Sequence, residues 1–189
     1  MTERVLEDRR TDGRRWLTTY YFARAAFSIV WVVAAFTLGA DLPALAGALL
    51  IVYPAWDAAA NVVDARRNGG LRANPTQTLN AIVSTVTTAA VAVALGSSMF
   101  AVLGVFGVWA TLSGLFQLGT ALRRWKSVGA QWAMALSGAQ SAIVGITFLI
   151  KASGSVVPGV ADIAPYAGFG AFYFLVSAVW LVVSDRRRG

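Results

Sequence analysis

Two charged side chains stand alone inside long apolar stretches of this 189-residue sequence: Arg24, in Tyr20-Tyr21-Phe22-Ala23-Arg24-Ala25-Ala26, and Asp57, in Tyr53-Pro54-Ala55-Trp56-Asp57-Ala58. An isolated Arg or Asp near the centre of a membrane helix costs about 2.5 to 3.5 kcal/mol on insertion scales. Arg24 follows Arg15 by nine residues and Asp57 precedes Arg66 by nine, so in helices each lies roughly 14 Å from a basic end. Equal depth in neighbouring helices predicts an intramembrane ion pair. Its plainer role is to fix how the two helices rotate against each other. Its chemical role is a carboxylate that Arg24 holds ionised at neutral pH and that releases its partners only in acid.

The pair sits in a polar stripe. Tyr53, Asp57, Asn61 and Asp64 follow one another by steps of four, four and three, which keeps them on one helical face. Moving on by 56 residues places Trp109, Ser113, Gln117 and Thr120 in the same positions, and by a further 64 Tyr173, Ser177, Leu181 and Ser184. A basic residue closes each copy: Arg67, Arg123 and Arg187. Tyr20, Arg24 and Ser28 recur 56 residues on as Thr76, Asn80 and Ser84, and 113 on as Ala133, Ser137 and Ser141, with Gln140 adjacent. The candidate polar core is therefore Tyr53, Asn61, Asn80, Ser113, Gln117, Ser137, Gln140, Ser141 and Ser177 around the charged pair. Such groups serve most simply as interhelical hydrogen bonds worth about 0.6 kcal/mol each. The sharper reading is a narrow hydrated cavity open to the cytoplasm. Leu181, standing where Asn61 and Gln117 stand in the other copies, argues against a threefold pore.

The elements that must carry these residues are membrane helices. The chain is 57% hydrophobic and only 13% charged, against roughly 25% charged in soluble domains. Six apolar runs of about 20 residues, each long enough to cross a hydrocarbon core of about 30 Å, are expected over 16–38, 42–64, 77–95, 99–122, 130–150 and 164–183. The fold class is all-α: six transmembrane helices as three repeated hairpins, about 16–67, 76–124 and 130–188. They form one domain, 16–189, after a charged cytoplasmic flank or short surface helix over 1–15. Outside the helices, fourteen Lys and Arg fall on the side of the N-terminus and only Lys151 on the other, so both termini are expected in the cytoplasm. Trp16, Trp125 and Trp132 read as interfacial anchors. Small residues at spacing four, in Ser84-Thr88-Ala92, Gly107-Thr111 and Ser137-Ser141-Gly145, permit close helix approach. Tyr166, Phe169, Phe172, Tyr173 and Phe174 read as a lipid-facing or dimer-facing surface.

Composition also excludes chemistry. With no Cys and no His, thiolate nucleophiles, imidazole relays, disulfides and the usual zinc sites are out of reach. No nucleophile elbow, phosphate loop or dinucleotide fingerprint is present. An enzyme is not expected, nor a metal or cofactor. The net charge of +7 is explained by basic residues at alternate helix ends and calls for no nucleic acid. The expected partners are membrane lipids, with a homo-oligomer and a small solute or proton left open.

An Arg early in an odd helix, here Arg24-Ala25-Ala26, and an Asp late in an even one, here Trp56-Asp57-Ala58, within repeated hairpins, resemble the HdeD-type acid-resistance membrane proteins, six-helix bacterial proteins of short repeats with unknown function. That family usually has Gly just after the charges; this chain has Ala25 and Ala58 there and keeps Gly at Gly114 and Gly138. The resemblance implies a multi-pass protein of the bacterial inner membrane with a structural or protective role in acid or envelope stress. A small transporter or channel for protons or another small solute is the alternative.

Overall fold

The computed structural model describes residues 2–39, 41–124 and 131–187. Six helices make up almost all of them: α1 Thr2–Thr37, α2 Pro43–Arg67, α3 Pro75–Leu95, α4 Met99–Arg124, α5 Gln131–Ala152 and α6 Val160–Arg186. No strand occurs among the described residues. Each helix contains a stretch long and apolar enough to cross a membrane, from 18 residues in α5 to 27 in α6. The chain is an all-helical, multi-pass membrane protein.

Helix ends follow local chemistry. Pro43 and Pro75 sit at the first positions of α2 and α3, where their missing N–H costs nothing and their fixed φ suits the helix. Ser98 starts α4 by accepting the Ala101 N–H on its hydroxyl at 3.1 Å, satisfying one of the first-turn donors. Arg66 and Arg67 close α2, favourably placed against its negative dipole end. The membrane-crossing stretch of α1 is Arg15–Thr37, as expected, but the helix itself runs unbroken from Thr2. Its Arg, Glu and Leu residues are good helix formers, so the charged flank prolongs the membrane helix. α6 starts four residues earlier than expected. Asp162 in its first turn accepts the Gly159 N–H at 2.8 Å and pairs with Lys151 at 3.1 Å, which closes the loop after α5.

The chain divides into two compact units, residues 1–34 with 164–189, and residues 35–163. In the larger unit the most extensive packing is α4 against α5, then α2 against α3, with α3 on α4 looser. Glycine explains the α4–α5 seam. A Cβ built on Gly114 would lie 2.5 Å from both the Gly138 carbonyl oxygen and the Ala142 nitrogen, and one on Gly138 2.9 Å from the Gly114 carbonyl oxygen. Gly107 faces Leu149 and Gly145, and Gly145 faces Thr111. In lipid, where no hydrophobic force drives helices together, backbone approach of this kind supplies the dispersion contact. Of the small residues expected to permit close approach, Gly107, Thr111 and Gly145 lie in the seam, whereas Gly138 and Ala142 take the places next to Ser137 and Ser141.

Each helix has a small residue among those it buries: Ala25, Ala58, Ala81, Gly114, Gly138 and Ala178. Ala25 and Ala58, which follow Arg24 and Asp57 in the chain, are buried as Gly114 and Gly138 are.

Candidate functional site

α2 carries Asp57 in an alanine-rich turn, Ala55 to Ala60, and the side chain is half-buried. Its Oδ2 accepts two hydrogen bonds, from Ser84 Oγ of α3 at 2.7 Å and from Asn61 Nδ2, one turn along α2, at 3.0 Å. The same Asn61 amide also donates to the Asp57 carbonyl at 2.8 Å. Behind Ser84 stands α4: Trp109 Nε1 donates to Ser84 Oγ at 3.2 Å in a buried contact. Tyr53 and Phe106 meet the Trp109 ring edge-on, with centroids 5.9 and 5.7 Å away. Three helices of one unit therefore converge on one carboxylate oxygen.

The direction of these bonds is fixed by chemistry. An indole N–H donates and has no acceptor, and an ionised carboxylate accepts only. Ser84 is thereby polarised toward Asp57, with its lone pair taken by Trp109 and its proton given to the acid. This arrangement holds a negative charge well. It cannot pass a proton onward through Trp109.

Of the residues singled out from sequence, Tyr53, Asp57 and Asn61 come together here. Asn80 is half-buried one turn before Ser84; Ser113 and Gln117 on α4, and Ser137, Gln140 and Ser141 on α5, are half-buried beside the glycine seam. Ser177 donates to the Tyr173 carbonyl of its own helix at 2.8 Å. Thr85, Thr87, Thr88 and Thr111 do the same, each to the carbonyl four residues back. Ser84 and Trp109 are the members that the polar-core selection left out. Both stood in recurring columns, Ser84 with Ser28 and Ser141, Trp109 with Tyr53 and Tyr173, and that recurrence was the available signal.

A second polar group closes α2. Asp64 accepts from Asn68 Nδ2 at 2.9 Å and from Gln77 Nε2 at 3.4 Å. Asn74 gathers the following loop, its amide nitrogen lying 3.3, 2.8 and 2.9 Å from the carbonyls of Ala65, Asn68 and Gly70. Gly69 and Gly70 turn that loop at φ of 97° and 95°, a region that side-chain-bearing residues avoid.

Arg24 belongs to the smaller unit and is half-buried. Its Nη1 donates to the Tyr20 hydroxyl at 3.0 Å, and its guanidinium carbon lies 4.2 Å from the centre of the Phe174 ring. Tyr21 stacks on Phe174 in turn, 6.0 Å between centroids. The negative face of the Phe174 ring favours the cation. Phe174 is thus more than a lipid-facing aromatic. Among the described residues no three His, Cys, Asp or Glu side chains stand together in a way that would hold a metal ion.

Comparison with known proteins adds one finding: a family model described as a short repeat of unknown function (DUF308) matches residues 79–150, which run from α3 to near the end of α5. Comparison with curated proteins and with solved structures gives no match.

Proposed function

We propose that this chain is a non-enzymatic, structural protein of the bacterial inner membrane, similar to the HdeD-type group, in which a polar core centred on Arg24 and Asp57 holds the helices together under acid or envelope stress. The observation that carries this reading is the donor chain Trp109 to Ser84 to Asp57, which ends on an indole. A carboxylate that accepts from the Ser84 hydroxyl and the Asn61 amide, with the hydroxyls of Thr85, Thr87, Thr88, Thr111 and Ser177 given to their own helix backbones, suits helix cohesion better than conduction. Membrane lipids are its expected partners.

The match to a short-repeat family over 79–150 supports three repeated hairpins. So does burial: Ala25, Ala81 and Gly138 are related by the offsets of 56 and 57 residues seen in the polar columns, and Ala58, Gly114 and Ala178 by those of 56 and 64. With every copy beginning and ending on its basic side, both termini lie in the cytoplasm. Arg24 and Asp57 then share one depth.

The test is acid-driven proton flux into liposomes holding the purified protein, for wild type, Asp57→Asn, and Arg24→Gln with Asp57→Asn. No flux above empty liposomes in any of them is expected. Flux in the wild type that both folded variants lose would replace this reading with a proton-conducting core.

A further inference from the structure

The two flanks of the α4–α5 seam differ in kind. The helices run in opposite directions, Gly107 meeting Leu149 and Leu118 meeting Gly138, and each residue of a helix is turned by about 100° from the last. Seen from one end, that rotation is clockwise in one helix and anticlockwise in the other. Residues just before the contact positions therefore fall on one side of the seam in both helices, and residues just after them on the other. The side after is aliphatic and exposed throughout: Val108, Leu112 and Leu115 of α4 with Ile143, Ile146 and Ile150 of α5. The side before changes along its length. Phe106, Ala110 and Phe148 are buried there, and nearer the C-terminal end of α4 come Ser113, Gln117, Ser137 and Ser141, all half-buried. Gly114 meets Ala142 and Leu118 meets Gly138, so Ser113 shares a level with Ser141, and Gln117 with Ser137. From the helix ends at Arg124 and Gln131 the shallower pair lies about 10 Å in and the deeper pair about 15 Å, at 1.5 Å per residue.

Among the described residues these four side chains make no hydrogen bond, whereas the hydroxyls of Thr85, Thr87, Thr88, Thr111, Thr147 and Ser177 each go to the carbonyl four residues back. A polar group shut away from water is nearly always satisfied, and hydrocarbon supplies no partner. Three hydroxyls and one amide each donate and accept, and none is charged. Their complement is water, or a small neutral molecule that donates and accepts in turn; an ion would exchange its hydration for uncharged groups alone. We infer that this flank of the α4–α5 seam is a one-ended aqueous crevice that admits small uncharged hydrogen-bonding solutes as far as Ser113 and Ser141, with Phe106, Ala110 and Phe148 as its closed end. Its polar lining shares no residue with the Asp57 cluster. Being blind, it gives protons no path across, so it is compatible with the absence of flux expected of that cluster and is tested separately from it.

The chain has no cysteine, so single replacements report directly. A thiol reacts as its thiolate, which forms in water and not in lipid. Ser113→Cys, Gln117→Cys, Ser137→Cys and Ser141→Cys, in lipid nanodiscs, are treated with hydroxyethyl methanethiosulfonate, which is small, uncharged and hydroxyl-bearing, and with its anionic sulfonatoethyl and cationic trimethylammonioethyl analogues. Leu115→Cys and Ile143→Cys report the aliphatic flank, and Ala110→Cys the closed end. The crevice thiols are expected to react with the uncharged reagent at least about tenfold faster than these three, following their thiolate fraction and access. At the deeper pair, Ser113→Cys and Ser141→Cys, both charged analogues should be slower than the uncharged one. Serine and cysteine are near isosteres, so the three serine positions carry the test even where Gln117→Cys alters packing. Crevice thiols no more reactive than Leu115→Cys overturn the inference. Charged reagents as fast as the uncharged one at the deeper pair, or ready reaction at Ala110→Cys, would make the flank an ion-accessible path through the protein and overturn it as well.

Discussion

Replacing Gly114 by alanine tests the α4–α5 seam at its tightest point. The new methyl would sit 2.5 Å from the Gly138 carbonyl oxygen and the Ala142 nitrogen, where ordinary contact begins at 3.4 Å. Both obstacles are backbone, so neither can rotate away, and the helices must part by about 0.9 Å locally. A radial gap of 0.5 to 1 Å forfeits about a quarter to a half of each dispersion contact it opens, and overpacking of this kind costs about 1 to 3 kcal/mol. The control is Gly119→Ala in the same helix, whose added methyl meets nothing within 4 Å. Both changes gain the same helix propensity, about 0.8 to 1 kcal/mol, so their difference isolates the seam: Gly119→Ala neutral or stabilised, Gly114→Ala less stable than it by about 1 to 3 kcal/mol. Reversible unfolding in mixed micelles, with helicity followed by circular dichroism, measures both. Equal stability of the two variants would refute the close backbone approach.

Further changes follow from the hydrogen bonds. Asp57→Ala should destabilise by about 1.5 to 3 kcal/mol, the range for hydrogen bonds to a charged group, and Asp57→Asn by less, since an amide oxygen still accepts; unfolding in micelles ranks them. Ser84→Ala leaves the Trp109 N–H unpaired, which costs about 1 to 3 kcal/mol and should shift the emission of a protein whose sole tryptophan is Trp109. Asn74→Ala removes the amide that ties the carbonyls of Ala65, Asn68 and Gly70 together, so proteolysis and amide exchange should quicken over 68–74 while the helices keep their protection. Lys151→Met removes a pair whose side chains are 53% and 35% exposed; solvent screening limits its effect to about 0 to 1 kcal/mol, and thermal unfolding should barely move.

The helices were legible from sequence because length, hydropathy and end chemistry act locally. Pro43, Pro75, Gly69 and Gly70 mark boundaries wherever they stand. The membrane-crossing part of α1, Arg15–Thr37, was legible as well; its continuation back to Thr2 was not, because hydropathy reports where lipid ends, whereas helix propensity continues through Arg and Glu. The cluster was half legible. Tyr53, Asp57 and Asn61 share a face by spacing alone, but Ser84 and Trp109 join them through the packing of α2, α3 and α4. No one-dimensional period encodes that. In lipid the apolar surface has no preferred partner, so the choice of neighbours rests on a few small residues whose exact register matters. The small-residue spacing picked out Gly107, Thr111 and Gly145, which lie in the seam, while Ser137 and Ser141 stand one position before Gly138 and Ala142, which make the contact.

That seam also bears on how the protein is made. Gly107, Thr111, Gly114 and Leu118 of α4 face, in reverse order, Leu149, Gly145, Ala142 and Gly138 of α5. Each helix offers a glycine, a small residue three or four places on, a second glycine and then a leucine, so the two surfaces are near copies that fit by a half-turn. During synthesis α4 enters the bilayer first with its notches unfilled, and the surface that completes it is a second version of its own. An α4 of a neighbouring chain inserts the same way round and cannot supply the reversed partner, so the notches stay open until α5 arrives. The short segment between the two helices therefore sets how long α4 waits uncovered, and lengthening it would prolong that wait without touching a single contact of the finished fold.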